Sequence, residues 1–169
     1  MELKPEINDA LNQQLNEEFY SAYLYLAKAA YCEDCDLAGF ANWMKMQYQE
    51  ELAHAAKIYA YVNDRDGRVI LKAIGEPKDK WGSPLQAFEG ALAHEQHISE
   101  CINKLAVLSI EKGDHATHVF LQWFVNEQVE EEKTVRDIVH DIKLVEKSAD
   151  GIFMIDRELA QRSGDPGAE

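Results

Sequence analysis

The stretch Glu51-Leu52-Ala53-His54 decides how the rest of this chain is interpreted. It lies inside a helical pattern that runs from Phe40 to Val62. Steps of three and four residues place one set of side chains on the same helix face, namely Met44, Gln47, Glu51, His54, Ile58 and Tyr61. The apolar members mark that face as buried, so a carboxylate and an imidazole one turn apart point inward and can hold one cation. Because chance often produces this spacing, the interpretation depends on what the other helices contribute.

Length and composition predict a globular protein. The chain has 169 residues, of which 46% are hydrophobic, and its mean hydropathy is −0.41. These values predict a single domain over residues 1–169 with a substantial core, and a frayed tail from about residue 163 to 169. The formal net charge of −14 disfavours nucleic acid or an anionic membrane as a partner and would attract cations. Acidity that only keeps the protein soluble explains the charge equally well.

The start of the chain and its cysteines indicate the compartment. Met1 to Pro5 contains no apolar signal region, and no later apolar run is long enough to span a bilayer. We therefore expect a cytoplasmic protein. The three cysteines, Cys32, Cys35 and Cys101, fit a reducing compartment and do not form a disulfide framework. Cys32 and Cys35 make a C-x-x-C without a second one, so they are interpreted as incidental and not as a metal or redox site.

Four long helical patterns and one short one cover most of the chain. They run from Pro5 to about Tyr31, from Phe40 to Val62, from Pro84 to a stop at Gly113, from the cap Asp114 to Val145, and from Ile152 to about Gln161. The inward face of the first helix is predicted to be Ile7, Leu11, Leu15, Phe19, Ala22 and Leu26. The third helix begins with Ser83 at the N-cap, Pro84 at the first helical position and Gln86 completing a capping box.

The segment from Arg68 to Gly82 is not helical and connects the second and third helices. A helix of about 27 residues is roughly 40 Å long, and about 18 extended residues reach roughly 60 Å. This segment can therefore travel the full length of a bundle and make helices two and three parallel. The predicted fold is all-α, a four-helix bundle with one long crossover between helices two and three plus a short fifth C-terminal helix.

Four inward-facing acids lie near the middle of the four long helices: Glu18, Glu51, Glu95 and Glu131. Helix midpoints coincide in a bundle, so these carboxylates should meet with His54 in one central layer. A buried glutamate with a hydrogen-bond partner is the ordinary explanation for any one of them. Four together repel one another and lose their hydration, which costs several kcal/mol each, and no evident lysine or arginine shares the layer. Two divalent cations would balance the charge, and oxygen-rich ligands with one imidazole suit iron or manganese.

With these residues in place, the chain resembles the non-haem bacterial and archaeal ferritins over nearly its whole length. The similarity is carried by Asn16–Tyr20, Gln49–His54, His94–Gln96 and Leu121–Lys133. The resemblance implies a di-iron centre in which Glu18, Glu51 and His54 hold one iron. It also implies that Glu51, Glu95 and Glu131 hold the second iron, with Gln128 alongside.

Further positions match the same family less specifically. The resemblance implies a third iron site formed by Glu50, Glu127, Glu130 and Glu131, although Glu50 and Glu130 are also explained as ordinary solvated acids. Tyr25 resembles the tyrosine beside the ferroxidase centre, and a plain core tyrosine explains its spacing equally well. Asp114, His115 and His118 lie at the corner between helices three and four, where they are either pore-lining groups or simply exposed.

Two departures separate the chain from relatives of the ferritins. The haem-binding bacterioferritins repeat E-x-x-H on the fourth helix, where this chain has Glu127-Gln128-Val129-Glu130, and Leu52 stands where they carry a haem-ligating methionine. No haem is therefore expected. Rubrerythrins add a rubredoxin domain, and this chain has no thiolate set for one.

The resemblance implies an iron-storage protein with ferroxidase activity. It would oxidise Fe(II) with O₂ or H₂O₂ and mineralise Fe(III) inside a homo-oligomeric cage of twenty-four subunits. A second hypothesis is a rubrerythrin-like di-iron peroxidase that does not store iron. A third is a non-enzymatic helical interaction module whose core acids are protonated.

Overall fold

The computed structural model describes residues 2–163 and contains five helices in that range. They are α1 (Pro5–Asp34), α2 (Ala38–Asp64), α3 (Pro84–Glu111), α4 (His115–Val145) and α5 (Ala149–Leu159). The described residues form no β-strand, and the predicted all-α fold is confirmed. Most of the predicted frayed tail, residues 164–169, lies outside the described residues, as does Met1. None of the five helices combines the length and the apolar character needed to cross a bilayer.

The first helix is longer than predicted, and one residue assigned to its inward face lies outside the core. It ends at Asp34 and not at Tyr31, because no glycine or proline interrupts it before the positive-φ residue Asp36. Leu26 was expected in the core and is 38% exposed, whereas Tyr25 and Ala29 are each 1% exposed. A helix has 3.6 residues per turn, so a row of residues counted in steps of three and four drifts around the helix. After several turns such a row can leave the buried face, as it does at Leu26.

Side-chain caps define where α3 and α4 begin. The Ser83 hydroxyl accepts a hydrogen bond from the backbone N–H of Gln86 at 3.2 Å, as predicted. The Gln86 side chain accepts from Gly82 N–H at 3.0 Å and not from Ser83, so the reciprocal bond of the predicted capping box is shifted by one residue. Gly113, with φ of 63°, ends α3, and Asp114 then caps α4 by accepting from Thr117 N–H at 3.1 Å.

Contacts between α1 and α3 fix the direction of the helices. Ser21 contacts His94, and seven residues later Lys28 donates a hydrogen bond to the carbonyl of Ala87. Positions therefore rise along α1 as they fall along α3, and the two helices are antiparallel. The short connection from α1 to α2 makes that pair antiparallel too, so α2 and α3 are parallel, as predicted.

The crossover between α2 and α3 lies along the surface of α1. The Asn12 side chain donates to the Arg68 carbonyl at 2.9 Å and accepts from Ile70 N–H at 2.6 Å. At the far end the ring centroids of Trp81 and Tyr31 are 5.4 Å apart. Because the side chains of α1 satisfy the backbone of the crossover, this segment stays attached without a helix or strand of its own.

Besides a small cluster of Leu24, Trp81 and Ala87, the described core contains two large apolar clusters that lie on either side of the helix midpoints. The first includes Ile7, Leu11, Ile58, Ile102, Leu121 and Phe124. The second includes Tyr25, Phe40, Met44, Phe88, Val135 and Ile142. Both clusters draw on all four long helices. They therefore hold the bundle together above and below the layer in which the inward-facing acids lie.

The fifth helix docks on the start of α2 through one carboxylate. Asp156 Oδ1 accepts hydrogen bonds from the backbone N–H groups of Gly39 at 2.8 Å and Phe40 at 3.1 Å. These donors have no partner within their own helix, and a carboxylate is favoured at a helix N-terminus. The approach is close, because a Cβ atom added to Gly39 would lie 1.6 Å from the Asp156 carbonyl oxygen.

Replacing Gly39 with alanine is therefore expected to displace α5, although alanine is the better helix former. We expect the free energy of unfolding to fall by about 1–3 kcal/mol. Relative to the unaltered protein, hydrogen exchange should become faster in residues 149–163, and it should accelerate less in the four long helices. Gly75→Ala is the matched control, since its added Cβ would lie an ordinary 3.7 Å from the Tyr20 ring. Unchanged exchange in α5 of Gly39→Ala would contradict this account of its docking.

Candidate metal centre

The structure brings Glu18 of α1 together with Glu51 and His54 of α2. His54 Nδ1 lies 3.4 Å from a Glu51 carboxylate oxygen and 3.9 Å from one of Glu18. One potential ligand atom from each residue lies within 4.8 Å of the other two. The three residues are only 1–4% exposed. Their arrangement is that of a carboxylate and imidazole set able to hold one cation.

Glu95 and Glu131 extend this layer from the other two helices. Glu95 is 0% exposed and Glu131 is 6% exposed. The Tyr25 hydroxyl donates to one oxygen of Glu95, and the Gln128 amide donates to the other at 3.2 Å. The Gln47 amide donates to Glu131 at 2.8 Å. All predicted inner-layer residues therefore lie within one buried layer of the bundle.

Two glutamines orient carboxylates of the layer and were given no role by the sequence. Gln14 Nε2 donates to Glu18 Oε1 at 2.7 Å, and Gln47 holds Glu131 as described above. The signal for Gln14 was its position four residues before Glu18 on the same helix. Within residues 2–163, Glu18 Oε2 and Gln47 Oε1 are buried without a hydrogen-bond partner. A buried acceptor without a donor costs free energy that a cation would recover.

Burial and mutual repulsion raise the pKa values of these carboxyl groups. Burial, followed by the repulsion of Glu95 and Glu18, raises the pKa of Glu51 well above its usual range. Burial, followed by repulsion from Glu95 and Glu50, raises the pKa of Glu131 to about 8. Burial likewise raises the pKa of Glu95 to about 7. The layer therefore binds either protons or cations.

One buried lysine near the layer was overlooked in the sequence. Lys28 is 1% exposed, and its ammonium group donates to the Ala87 carbonyl at 2.9 Å. Burial lowers the pKa of Lys28 to about 7, and its charge acts weakly to lower the pKa of Glu95. Lys28 thus offsets little of the negative charge that four carboxylates would carry.

The residues predicted for a third site line an open cavity of about 240 Å³ beside His54. Glu50, Glu127, Glu130 and Glu131 all contribute to its wall, together with Lys57, Trp123 and Arg162. Ligand atoms of His54, Glu127 and Glu131 lie within 4.8 Å of one another. We call this space the outer cavity. His54 and Glu131 belong both to it and to the inner layer.

At the corner between α3 and α4, one of the three residues considered for a pore is engaged in contacts within the chain. Asp114 is 7% exposed, and its two carboxylate oxygens accept hydrogen bonds from Arg65 at 3.2 and 3.1 Å. It also caps α4, so its carboxylate is used inside the chain. His115 is exposed and His118 is half-buried. Only these two histidines stay candidates for lining a pore.

Comparison with known proteins agrees with this geometry. The model of the ferritin-like domain family matches residues 8–145. The chain belongs to the ferritin family. It is 40% identical to a bacterial non-heme ferritin of Staphylococcus saprophyticus, over 96% of this chain and 98% of that protein. It is 39% identical to one of Bacteroides fragilis, over 95% of this chain and 99% of that protein.

A solved structure extends the comparison to the whole fold. An open-pore ferritin from the hyperthermophilic archaeon Archaeoglobus fulgidus superposes with a TM-score of 0.94 at 44% identity, covering 95% of this chain and 99% of that one. The predicted resemblance to non-haem ferritins and the predicted bundle are confirmed. The ferritin family implies iron binding, and the comparisons favour the iron-storage function over the peroxidase and the interaction module.

The raised pKa values predict how the stability of the metal-free protein depends on pH. Between the ordinary glutamate pKa of 4.5 and about 8, the folded protein holds a proton on Glu131 that the unfolded chain releases. Rising pH therefore favours unfolding, by up to about 1.4 kcal/mol per pH unit for each such group. The free energy of unfolding should fall across this window, as measured by denaturant titration.

Glu131→Gln isolates this contribution, because glutamine keeps the shape of the side chain and does not titrate. We expect the decrease between about pH 5 and pH 8 to be smaller in the variant than in the unaltered protein. Because burial lowers the pKa of Lys28, this residue makes the free energy of unfolding rise with pH. Its contribution is the same in both proteins and cancels in the comparison. Equal pH slopes would show that Glu131 releases its proton below this window.

Proposed function

We propose that the inner layer is a ferroxidase centre that binds two Fe²⁺ ions as substrate. Glu18, Glu51 and His54 would hold one ion. Glu51, Glu95 and Glu131 would hold the other, with Gln128 alongside. The observation that carries the proposal is the burial of four carboxyl groups and one imidazole in a single layer, where Lys28 and Arg162 offset little of their charge. Two divalent cations match that charge.

The same carboxylates favour oxidation of the bound iron. Attraction between opposite charges grows with the charge of the ion, so this layer stabilises Fe³⁺ more than Fe²⁺. Two Fe²⁺ ions each give up one electron. O₂ then accepts two electrons and two protons to give H₂O₂, or H₂O₂ accepts the same number to give two molecules of water. The glutamines and Tyr25 keep the carboxylates in place throughout.

Tyr25 is proposed to position Glu95, because its hydroxyl donates to that carboxylate. Tyr25→Phe removes the donor and keeps the ring against Trp43, whose centroid lies 6.2 Å away. A hydrogen bond to a charged group contributes about 1.5–3 kcal/mol, so we expect Fe²⁺ to bind roughly tenfold more weakly at the least. Anaerobic calorimetric titration would measure this, and an unchanged affinity would remove Tyr25 from the site.

The outer cavity offers oxidised iron a way out of the inner layer. Glu131 and His54 line both spaces, and Glu50, Glu127 and Glu130 continue the set of carboxylates outward. An ion can therefore move between them while keeping at least one ligand. We propose that these residues form the third iron site that the sequence predicted, and that it leads iron to storage.

We also propose a homo-oligomeric storage cage of twenty-four subunits. One observation supports association: Ile70, Leu71 and Ile74 of the crossover are 46%, 66% and 45% exposed, and together with Phe19 they line one apolar groove. Contiguous exposed apolar surface is typical of protein interfaces. A single domain over residues 1–169 and a cytoplasmic location stay predictions from the sequence.

Aerobic addition of Fe²⁺ to metal-free protein tests the proposed function. We expect rapid appearance of ferric absorbance, followed by co-elution of iron with a large particle on size exclusion. Glu51→Ala should slow oxidation by at least about tenfold, because Glu51 is proposed to touch both ions. Glu100→Ala is the matched control, since the Glu100 side chain is 69% exposed and forms an ion pair with Lys104 one turn along its own helix.

The outcomes separate the alternatives. Oxidation lost in Glu51→Ala with iron retained by the unaltered protein establishes a ferroxidase and store. Oxidation without retained iron, in a small oligomer, would favour the rubrerythrin-like peroxidase. Identical oxidation by the unaltered protein and Glu51→Ala would disprove a di-iron centre in this layer.

A further inference from the structure

We propose that Arg162 is a resident counter-cation of the outer cavity, and that a metal ion entering the cavity displaces its guanidinium group from Glu50. The inference deepens the proposed function, on which it rests for the role of the cavity. It assigns to the C-terminal segment after α5 a direct effect on how strongly the outer cavity holds iron.

Arg162 is held at the cavity by contacts at both ends of the residue. Its Nη2 lies 2.7 Å from Glu50 Oε2, and its guanidinium carbon lies 4.7 Å from the centroid of the Trp43 ring. Its carbonyl accepts from the Asn42 amide at 3.0 Å. A surface ion pair contributes little on its own, but here the Arg162 side chain is only 23% exposed and that of Glu50 only 17%. The guanidinium is therefore fixed in place and is not one of many conformers on the surface.

The guanidinium lies in the same cavity as the carboxylates that are expected to receive iron. Arg162 lines the same cavity as Glu127, Glu130 and Glu131. Its field acts on Glu131, where it lowers the carboxyl pKa against the larger effect of burial. Its second terminal nitrogen, Nη1, is buried and has no hydrogen-bond partner among residues 2–163. When the ion pair with Glu50 opens, Nη1 can therefore donate a hydrogen bond to another carboxylate of the cavity.

A cation already paired with Glu50 competes with a metal ion for that carboxylate. Binding of the metal must break the ion pair, so the cavity binds metal more weakly than its four acids alone would. The coupling is reciprocal: metal in the cavity loosens Arg162 from Glu50 and weakens the attachment of the chain after α5. Such a cavity takes up iron and releases it onward instead of retaining it.

Terbium titration of the full-length, metal-free chain tests this role. Tb³⁺ is a trivalent cation with a preference for oxygen ligands, and its luminescence is excited through nearby tryptophan, here Trp123 in the cavity wall. Each variant also carries Glu51→Ala, which weakens the inner layer. Arg162→Gln keeps a polar side chain and removes the charged guanidinium that lies over Trp43. The matched control is Arg157→Gln in α5, whose side chain lies over the Phe153 ring at 5.9 Å.

We expect Arg162→Gln to bind Tb³⁺ at least about fivefold more tightly, the lower end of typical coupling between sites. Arg157→Gln should leave the affinity unchanged. Arg162→Lys, which keeps a cation within reach of Glu50, should stay near the unaltered affinity. A role of Arg162 in folding alone would make the lysine and glutamine variants alike, and this outcome would overturn the proposal.

A double-mutant cycle identifies the carboxylate involved. If Glu50 is the group for which Arg162 and the metal compete, the gain in Arg162→Gln should disappear when Glu50→Ala is also present. A gain that persists without Glu50, or an affinity that is unchanged or lower in Arg162→Gln, contradicts displacement from Glu50. Either result leaves iron oxidation and its loss in Glu51→Ala intact, so failure here is distinct from failure of the proposed ferroxidase function.

Discussion

The burial of four carboxyl groups in one layer is the constraint on which the structure depends. Glu51 lies against His54 and Glu18, and burial, followed by repulsion from Glu95, raises the pKa of both Glu51 and Glu131. Without a cation, burial favours the protonated form of these groups. The two apolar clusters above and below the layer supply the packing free energy that keeps the helices together despite this cost. The site is therefore a polar layer between two apolar clusters.

The connectivity of the helices explains why the layer forms at all. In a bundle of four long helices of similar length, the midpoints coincide whatever the direction of each helix. The crossover lets α3 run parallel to α2, and the polar contacts of Asn12 with Arg68 and Ile70 attach this segment to α1. The layer can then be built from side chains at ordinary helical positions, with no loop contributing a proposed inner ligand.

The sequence predicted the helices and the inner layer because both depend on local periodicity. It was less accurate where small errors of helical phase accumulate, as for Leu26, which lies outside the core while Tyr25 lies inside. It placed Gln47 on the inward face but gave neither Gln14 nor Gln47 a role, since their hydrogen bonds to Glu18 and Glu131 become visible only in the structure. Arg162 was beyond reach for a different reason. Its partner Glu50 is 112 residues away in sequence, and only the docking of α5 on α2 brings the two together.

The inner layer and the outer cavity, both proposed to bind iron, differ in the chemistry of the groups that hold their carboxylates. In the inner layer the donors are neutral: the amides of Gln14, Gln47 and Gln128 and the hydroxyl of Tyr25. Neutral donors orient a carboxylate without cancelling its charge, so its attraction for a cation is kept. In the outer cavity the donor to Glu50 is the Arg162 guanidinium, which does cancel charge. Neutral donors suit a site that must bind two ions firmly enough to oxidise them, and a charged donor suits one from which iron has to depart.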